Sequence, residues 1–154
     1  MTIGYVTIAE ADAYIAARYS SSDELLIGWQ LLNDADKSVY LLRSVEALDG
    51  LPYRGKKTLE TQLLAFPRYP DAVVPQAVKS AQIENALKLS DPSSEADAAI
   101  YTKMKMYGVK SYSIGNLSET LGAGGGMGSG NPDVSSDKAL RLLQPFLSGG
   151  YRIE

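Results

Sequence analysis

Residues 33–50 read NDADKSVYLLRSVEALDG, and the reading of this stretch decides the fold. Asn33 or Asp34 can cap a helix here, because a short side-chain oxygen accepts from the free amides of a first turn. Leu41, Leu42, Val45 and Leu48 then form an apolar stripe at helical spacing, and Asp49–Gly50 ends it. Upstream, Thr7 and Glu10 make a capping-box pattern that opens a helix over about 8–19, with Ala11, Tyr14, Ile15 and Tyr19 at roughly helical spacing. SSSDELLIGWQ, residues 20–30, reads as a short second helix with Trp29 large enough to anchor it.

Downstream, residues 49–74 break the period with three prolines and two glycines, yet keep Tyr53, Leu63, Leu64, Phe66 and Tyr69. They predict an ordered loop pinned by aromatic contacts. Val74, Pro75 and QAVKSAQIENALKLS predict a helix with proline in its first turn, where a missing amide donor is least costly. SSEADAAIYTKMKM, residues 93–106, predicts a fifth helix. In VKSYSIGNLSETL, residues 109–121, Tyr112 and Ile114 precede Gly115–Asn116 and Leu117 and Leu121 follow it, which predicts a short hairpin. Residues 122–130, GAGGGMGSG, hold six of the 14 glycines and read as a tether or a loop ordered by a partner. SSDKALRLLQPFL closes the chain with a helix presenting Leu140, Leu143 and Leu147 on one side. The expected fold class is mainly α: a compact bundle of five to six helices with a small β-hairpin or extended excursion. One domain is expected, with a helical core over 1–108, the excursion and glycine loop over 109–134, and a terminal helix and tail over 135–154.

Composition narrows the chemistry. The 154 residues include no cysteine, which excludes disulfides and thiolate chemistry, and no histidine, which excludes imidazole ligands and a Ser-His-Asp triad. Eighteen acids against 15 bases give a net charge of −3, far from the basic footprint of a general nucleic-acid binder. No segment approaches the roughly 20 apolar residues of a membrane span, and MTIGYVTIAEADAY lacks the pattern of a secretory signal. The expectation is a protein made in the cytoplasm, without membrane contact, catalytic group, cofactor or metal.

Four groups of residues remain as candidates. The glycine tract matches neither G-x-G-x-x-G nor a Walker loop, so it predicts no nucleotide cradle. Arg54, Lys56 and Lys57 in YRGKK place three positive charges beside Tyr53, an arrangement suited to phosphate contact; Lys103, Lys105 and Lys110 form a looser cluster. The carboxylate pairs Asp34 with Asp36 and Glu10 with Asp12 are explained by helix capping as readily as by acid–base chemistry. Ten tyrosines against two phenylalanines exceed what one small core absorbs and predict a contact surface.

The order ADAYIAAR, Trp29, NDADKSVYLLRSVEALD, YRGKK, QLLAFPR, VPQAVKSAQIENAL and VKSYSIGNLSETL resembles a phage and prophage family labelled DnaT-like single-stranded-DNA-binding proteins. It is also similar to the helical head-to-tail connector adaptors of tailed phages. The adaptor resemblance implies a virion neck subunit: a ring of identical copies, twelve in number, between a portal protein and a downstream stopper or tail-completion protein, making weak contact with double-stranded DNA in its channel. It further implies portal docking through Leu143, Phe146, Leu147, Tyr151 and Arg152, and inter-subunit contact through Tyr112, Ile114 and Leu117. The DnaT-like label implies the alternative, single-stranded DNA bound through Arg54, Lys56 and Lys57.

Overall fold

The computed structural model describes residues 1–93, 111–114, 117–120, 134 and 136–148. Five α-helices are present among them: α1 (Ile8–Arg18), α2 (Glu24–Leu31), α3 (Asp34–Asp49), α4 (Gln76–Leu89) and α5 (Asp137–Leu143), the last running into a 3-10 turn at Gln144–Phe146. Strand β1 (Ser111–Ile114) pairs antiparallel with β2 (Leu117–Thr120), Ser111 opposite Thr120 and Ile114 opposite Leu117.

The expected fold class needs correction on the β element. Among the described residues the bundle consists of the five helices, and the two short strands pair with each other. A hairpin of four-residue strands has too little area to build a core, whereas the helices bury whole faces. The helix expected over 93–106 falls, from 94 onward, outside the described residues, as do the glycine tract at 122–130 and the lysines at 103, 105 and 110.

Helix starts follow their caps. Thr7 accepts from the Glu10 amide at 3.1 Å while the Glu10 carboxylate accepts from the Thr7 amide at 2.7 Å, so the capping box is complete. The Glu10 carboxyl is held below the ordinary carboxylate range, mainly by that Thr7 amide. Asn33 caps α3 through the Asp36 amide at 2.8 Å, and Ser136 caps α5 through the Ala139 amide at 3.2 Å. Pro75 sits one place earlier than expected, at the cap itself, with its carbonyl accepting from Val78 and Lys79.

Helix α4 is the axis. It is buried on every side, from Ser80 through Leu87, and packs against α5 and α3 with α1 and α2 behind. Its polar residues are what make this tolerable, since a buried polar group without a partner would cost about 1–3 kcal/mol. The Gln82 side chain accepts from the Tyr5 amide at 2.9 Å and donates to the carbonyls of Ile3 and Leu41 at 2.8 and 3.0 Å. Ser44 on α3 donates to the Gln82 carbonyl. Buried Glu84 accepts from Tyr14 and Tyr19 of α1 at 3.0 and 2.6 Å, and Lys138 of α5 donates to Tyr19 at 3.1 Å. Burial, reinforced by Glu84, pushes both phenols above the ordinary tyrosine value.

A second joint links the first three helices. Asp12 of α1 accepts from the Trp29 indole of α2 at 2.7 Å and from the buried Lys37 of α3 at 3.0 Å. The stripe on α3 is Leu41, Ser44, Val45 and Leu48, not the expected Leu41, Leu42, Val45 and Leu48: Leu42 is half exposed. Adjacent positions on a helix point about 100° apart, so Leu41 and Leu42 cannot both face α4. Gly4, at φ +66°, lets the N-terminal segment lie on α3, because a Cβ there would stand 2.7 Å from Val45 Cγ2.

Candidate nucleic-acid interface

The connection between α3 and α4, residues 50–74, is an ordered lobe. Its inner edge is aromatic. The Phe66 ring meets Tyr53, Phe146 and Tyr5 edge-on, with centroids 4.7, 5.6 and 6.2 Å away. Tyr5 donates to Asp49 at 2.5 Å and accepts from the Phe66 amide, while Asp49 accepts from the Ala65 amide. Tyr53 donates to the Leu48 carbonyl at the end of α3. Burial raises the Tyr5 and Tyr53 phenols, with Asp49 adding to both, and burial also raises the Asp49 carboxyl. The expected aromatic pinning of this loop is thus found at Tyr53 and Phe66. It is not found at Leu63 and Tyr69, which point outward.

The lobe's outer part is shaped by its own polar groups. Gln62 accepts from the Leu59 amide at 3.0 Å and donates to the carbonyls of Leu64 and Pro67, both at 2.9 Å. Tyr69 donates its amide to the Lys56 carbonyl, and Thr58 donates to the Asp71 carbonyl. Cis peptide bonds precede Pro67 and Pro70.

These contacts separate the three predicted cations. Arg54 is committed to the chain: its Nε donates to the Leu147 carbonyl at 2.5 Å and its amide to the Phe146 carbonyl at 2.8 Å. Lys57 leans over the Gln62 and Leu63 carbonyls at 3.3 and 3.4 Å while staying exposed. Lys56 is exposed, with its ammonium 5.6 Å from the centroid of the Tyr69 ring, itself 67% exposed. Arg68 braces the site from within, donating to the carbonyls of Arg54, Gly55 and Ala65. Tyr69 is therefore the residue that attention to YRGKK passes over. The adjacent basic and aromatic residues in PheProArgTyrPro, 66–70, are the signal that could have found it.

The other candidates fall elsewhere. Leu143 and Leu147 are fully buried in the core and Phe146 is half buried against Phe66; Tyr151 and Arg152 lie outside the described residues. Tyr112 is in register with Glu119 and Ile114 with Leu117 in the strand pair. Glu10, Asp12 and Asp36 are occupied in caps and joints. Tyr5 is buried and Tyr14, Tyr19 and Tyr53 are partly buried with bonded hydroxyls, so these four of the ten tyrosines tie helices and loop together. Among the described residues there is no group of three or more acidic, cysteine or histidine side chains that could hold a metal, and no helix long and apolar enough to cross a membrane.

Comparison with known proteins places the chain. No curated protein and no solved structure matches it. One family does match, across residues 4–153, and it is described by what it binds rather than by a reaction. With nearly its whole length matched, from the Gly4 contact through the aromatic lobe to the terminal helix, the chain belongs to the family described as "Putative DnaT-like ssDNA binding protein".

Proposed function

We propose that this protein is a non-enzymatic binder of single-stranded DNA and that the outer face of the 50–74 lobe makes the contact. The observation that carries the reading is the pairing of exposed Tyr69 with Lys56. An unstacked base can lie on the free face of such a ring while the ammonium meets the adjoining phosphate, with Lys57 beside it; stacking of this kind tolerates any base. Arg54, exposed beside them, also positions the lobe through its bond to Leu147. The family description supports the same ligand. The acidic chain suits weak, salt-sensitive binding rather than tight capture.

Titration of a fluorescent oligothymidine at several salt concentrations tests this. Tyr69→Ala should weaken binding by roughly 5- to 150-fold, the range of one stacked base. Replacing both lysines by alanine should lower the log–log salt slope by about 1.4, at about 0.7 per phosphate contact. Wild-type protein that fails to bind at low salt, or variants that bind as wild type does, would overturn the proposal.

A second reading, a connector subunit of a tailed-phage neck, is favoured by one observation: Leu31 and Leu63, 82% and 93% exposed, are what a protein built to assemble presents. In that reading the ring, the portal and stopper partners and the virion location follow from the adaptor resemblance. Reconstruction of assembled particle necks tests it, and absence of the chain from the neck would exclude it.

A further inference from the structure

An open groove of about 440 Å³ lies where the lobe meets the N-terminal segment and the start of α4. Its size falls within the range of pockets that take small molecules, roughly 300–1,000 Å³. Tyr5 lines it from the N-terminal segment, Leu64, Pro67, Val73 and Val74 from the lobe, and Lys79 from α4. The lining is mainly apolar, and Val73 is 74% exposed. Lys79 is only loosely engaged: its ammonium stands 3.5 Å from the Glu10 carboxylate, and both side chains are partly exposed. The groove adjoins the site proposed for DNA through one short turn. Pro67 and Ala72 both line it, and Tyr69 lies between them in the chain. α-Carbons two residues apart are separated by at most about 7.6 Å, a gap that one step along an extended strand spans.

We infer that this groove is a second base subsite: it receives the unpaired base next to the one on Tyr69, and Lys79 meets the adjoining phosphate. The inference rests on the strand-binding reading and extends it to the N-terminal segment and α4. One ring with one lysine holds a single base, whereas binders that tolerate any sequence engage successive bases. The neighbouring base therefore needs an apolar surface beside Tyr69, and the groove supplies it. The Tyr5 and Phe66 rings, both in its lining, are fixed edge-on to each other, so this part of the wall is in place before the strand arrives. Lys79 can turn from Glu10 to a phosphate at little cost, because an ion pair this exposed is weakly held. The Glu10 carboxylate keeps its bond to the Thr7 amide when that happens. A duplex, whose bases are stacked and paired, cannot place a base in the groove, so the subsite selects for single strands.

Methyl NMR of the full chain, titrated with an oligothymidine, reads the groove directly. The oligomer should shift the methyl signals of Leu64, Val73 and Val74, and a duplex of the same length should shift none of them. Val73→Ala should weaken oligothymidine binding by roughly 4- to 15-fold, the range for one to two buried methyl groups, and leave the salt slope unchanged. Lys79→Ala should lower the log–log salt slope by about 0.7, one phosphate contact. Helical circular dichroism checks that both variants are folded; should Lys79→Ala lose its helix signal, Lys79→Gln takes its place with the same change of slope. The inference alone is overturned if Tyr69→Ala weakens binding while Val73→Ala binds as wild type does, or while the groove signals stay still. A duplex that shifts those signals as the oligothymidine does also overturns it. Groove signals that move with protein concentration before DNA is added assign the groove to a second copy and overturn it too. Wild-type protein that binds no oligothymidine overturns it together with the strand-binding reading.

Discussion

Two glutamines make the same set of bonds in very different places. Gln82 accepts one backbone amide and donates to two carbonyls, with partners at residues 3, 5 and 41. Gln62 also accepts one amide and donates to two carbonyls, with partners at residues 59, 64 and 67. The first is fully buried in the middle of α4 and joins three parts of the chain that are remote in sequence. The second is half exposed and joins a turn to itself. The same side-chain chemistry welds a fold when its partners are distant and shapes a local surface when they are near. That difference explains how the lobe can turn leucines and a tyrosine outward without losing its form.

Alkali should break the comparison most completely. The phenols of Tyr5, Tyr19 and Tyr53 titrate above the ordinary value of 10.0 in the folded protein. The folded state therefore keeps protons that the unfolded chain releases, so their stabilisation is full below pH 10 and is lost as pH rises beyond it. Ionisation of Tyr5, Tyr19 and Tyr53, followed ring by ring by NMR, and loss of helical circular dichroism should occur together above pH 10. If Tyr53 ionised while the helices stayed intact, the lobe would be an independent unit rather than one pinned to α3.

Gln82→Ala is the next largest effect. It strands three backbone groups and leaves a cavity, and should cost about 4 kcal/mol, seen as a melting temperature lower by about 8–16 °C. Tyr5→Phe removes the hydroxyl that joins body to lobe through Asp49 and the Phe66 amide. A loss of about 1–3 kcal/mol is expected, with faster hydrogen exchange at Ala65 and Phe66. Gln62→Ala should be the mildest, about 1 kcal/mol, with faster exchange confined to residues 59–67 and an almost unchanged melting curve. A Gln62 variant that melts as early as the Gln82 variant would remove the distinction between the two glutamines.

The sequence made the helix starts legible because caps are local: Thr7 with Glu10, and Asn33 with Asp36, lie three residues apart. Trp29 as an anchor and the aromatic pinning of the loop could be read for a related reason, since large rings have few stable places outside a core. The burial of Gln82, Glu84 and Asn85 could not, because a helix that is polar and buried on all sides shows no apolar stripe and its partners lie far away in sequence. Choosing Leu41 over Leu42 likewise depends on where α4 lies. In the candidate site, YRGKK marked the correct lobe but not the roles within it. Only folding decides that Arg54 is used on Leu147, that Lys57 leans on its own turn, and that Lys56 meets a ring thirteen positions away.

The binding of Arg54 to Phe146 and Leu147, together with the Ser148 amide donated to the Pro52 carbonyl, has a consequence for synthesis. Arg54 and Leu147 are 93 positions apart. At about 5–20 residues per second, a ribosome needs roughly 5–20 s to travel between them. Once residue 67 is made, and for the rest of that interval, the nascent chain holds α1 to α3 and the lobe's own turn, but the inner edge of the lobe lacks the strip of backbone that secures it and Phe66 lacks the Phe146 ring. A chaperone attending translation would meet a helical body with α4 uncovered on its α5 side and one open aromatic seam, both closed only when residues 137–148 emerge.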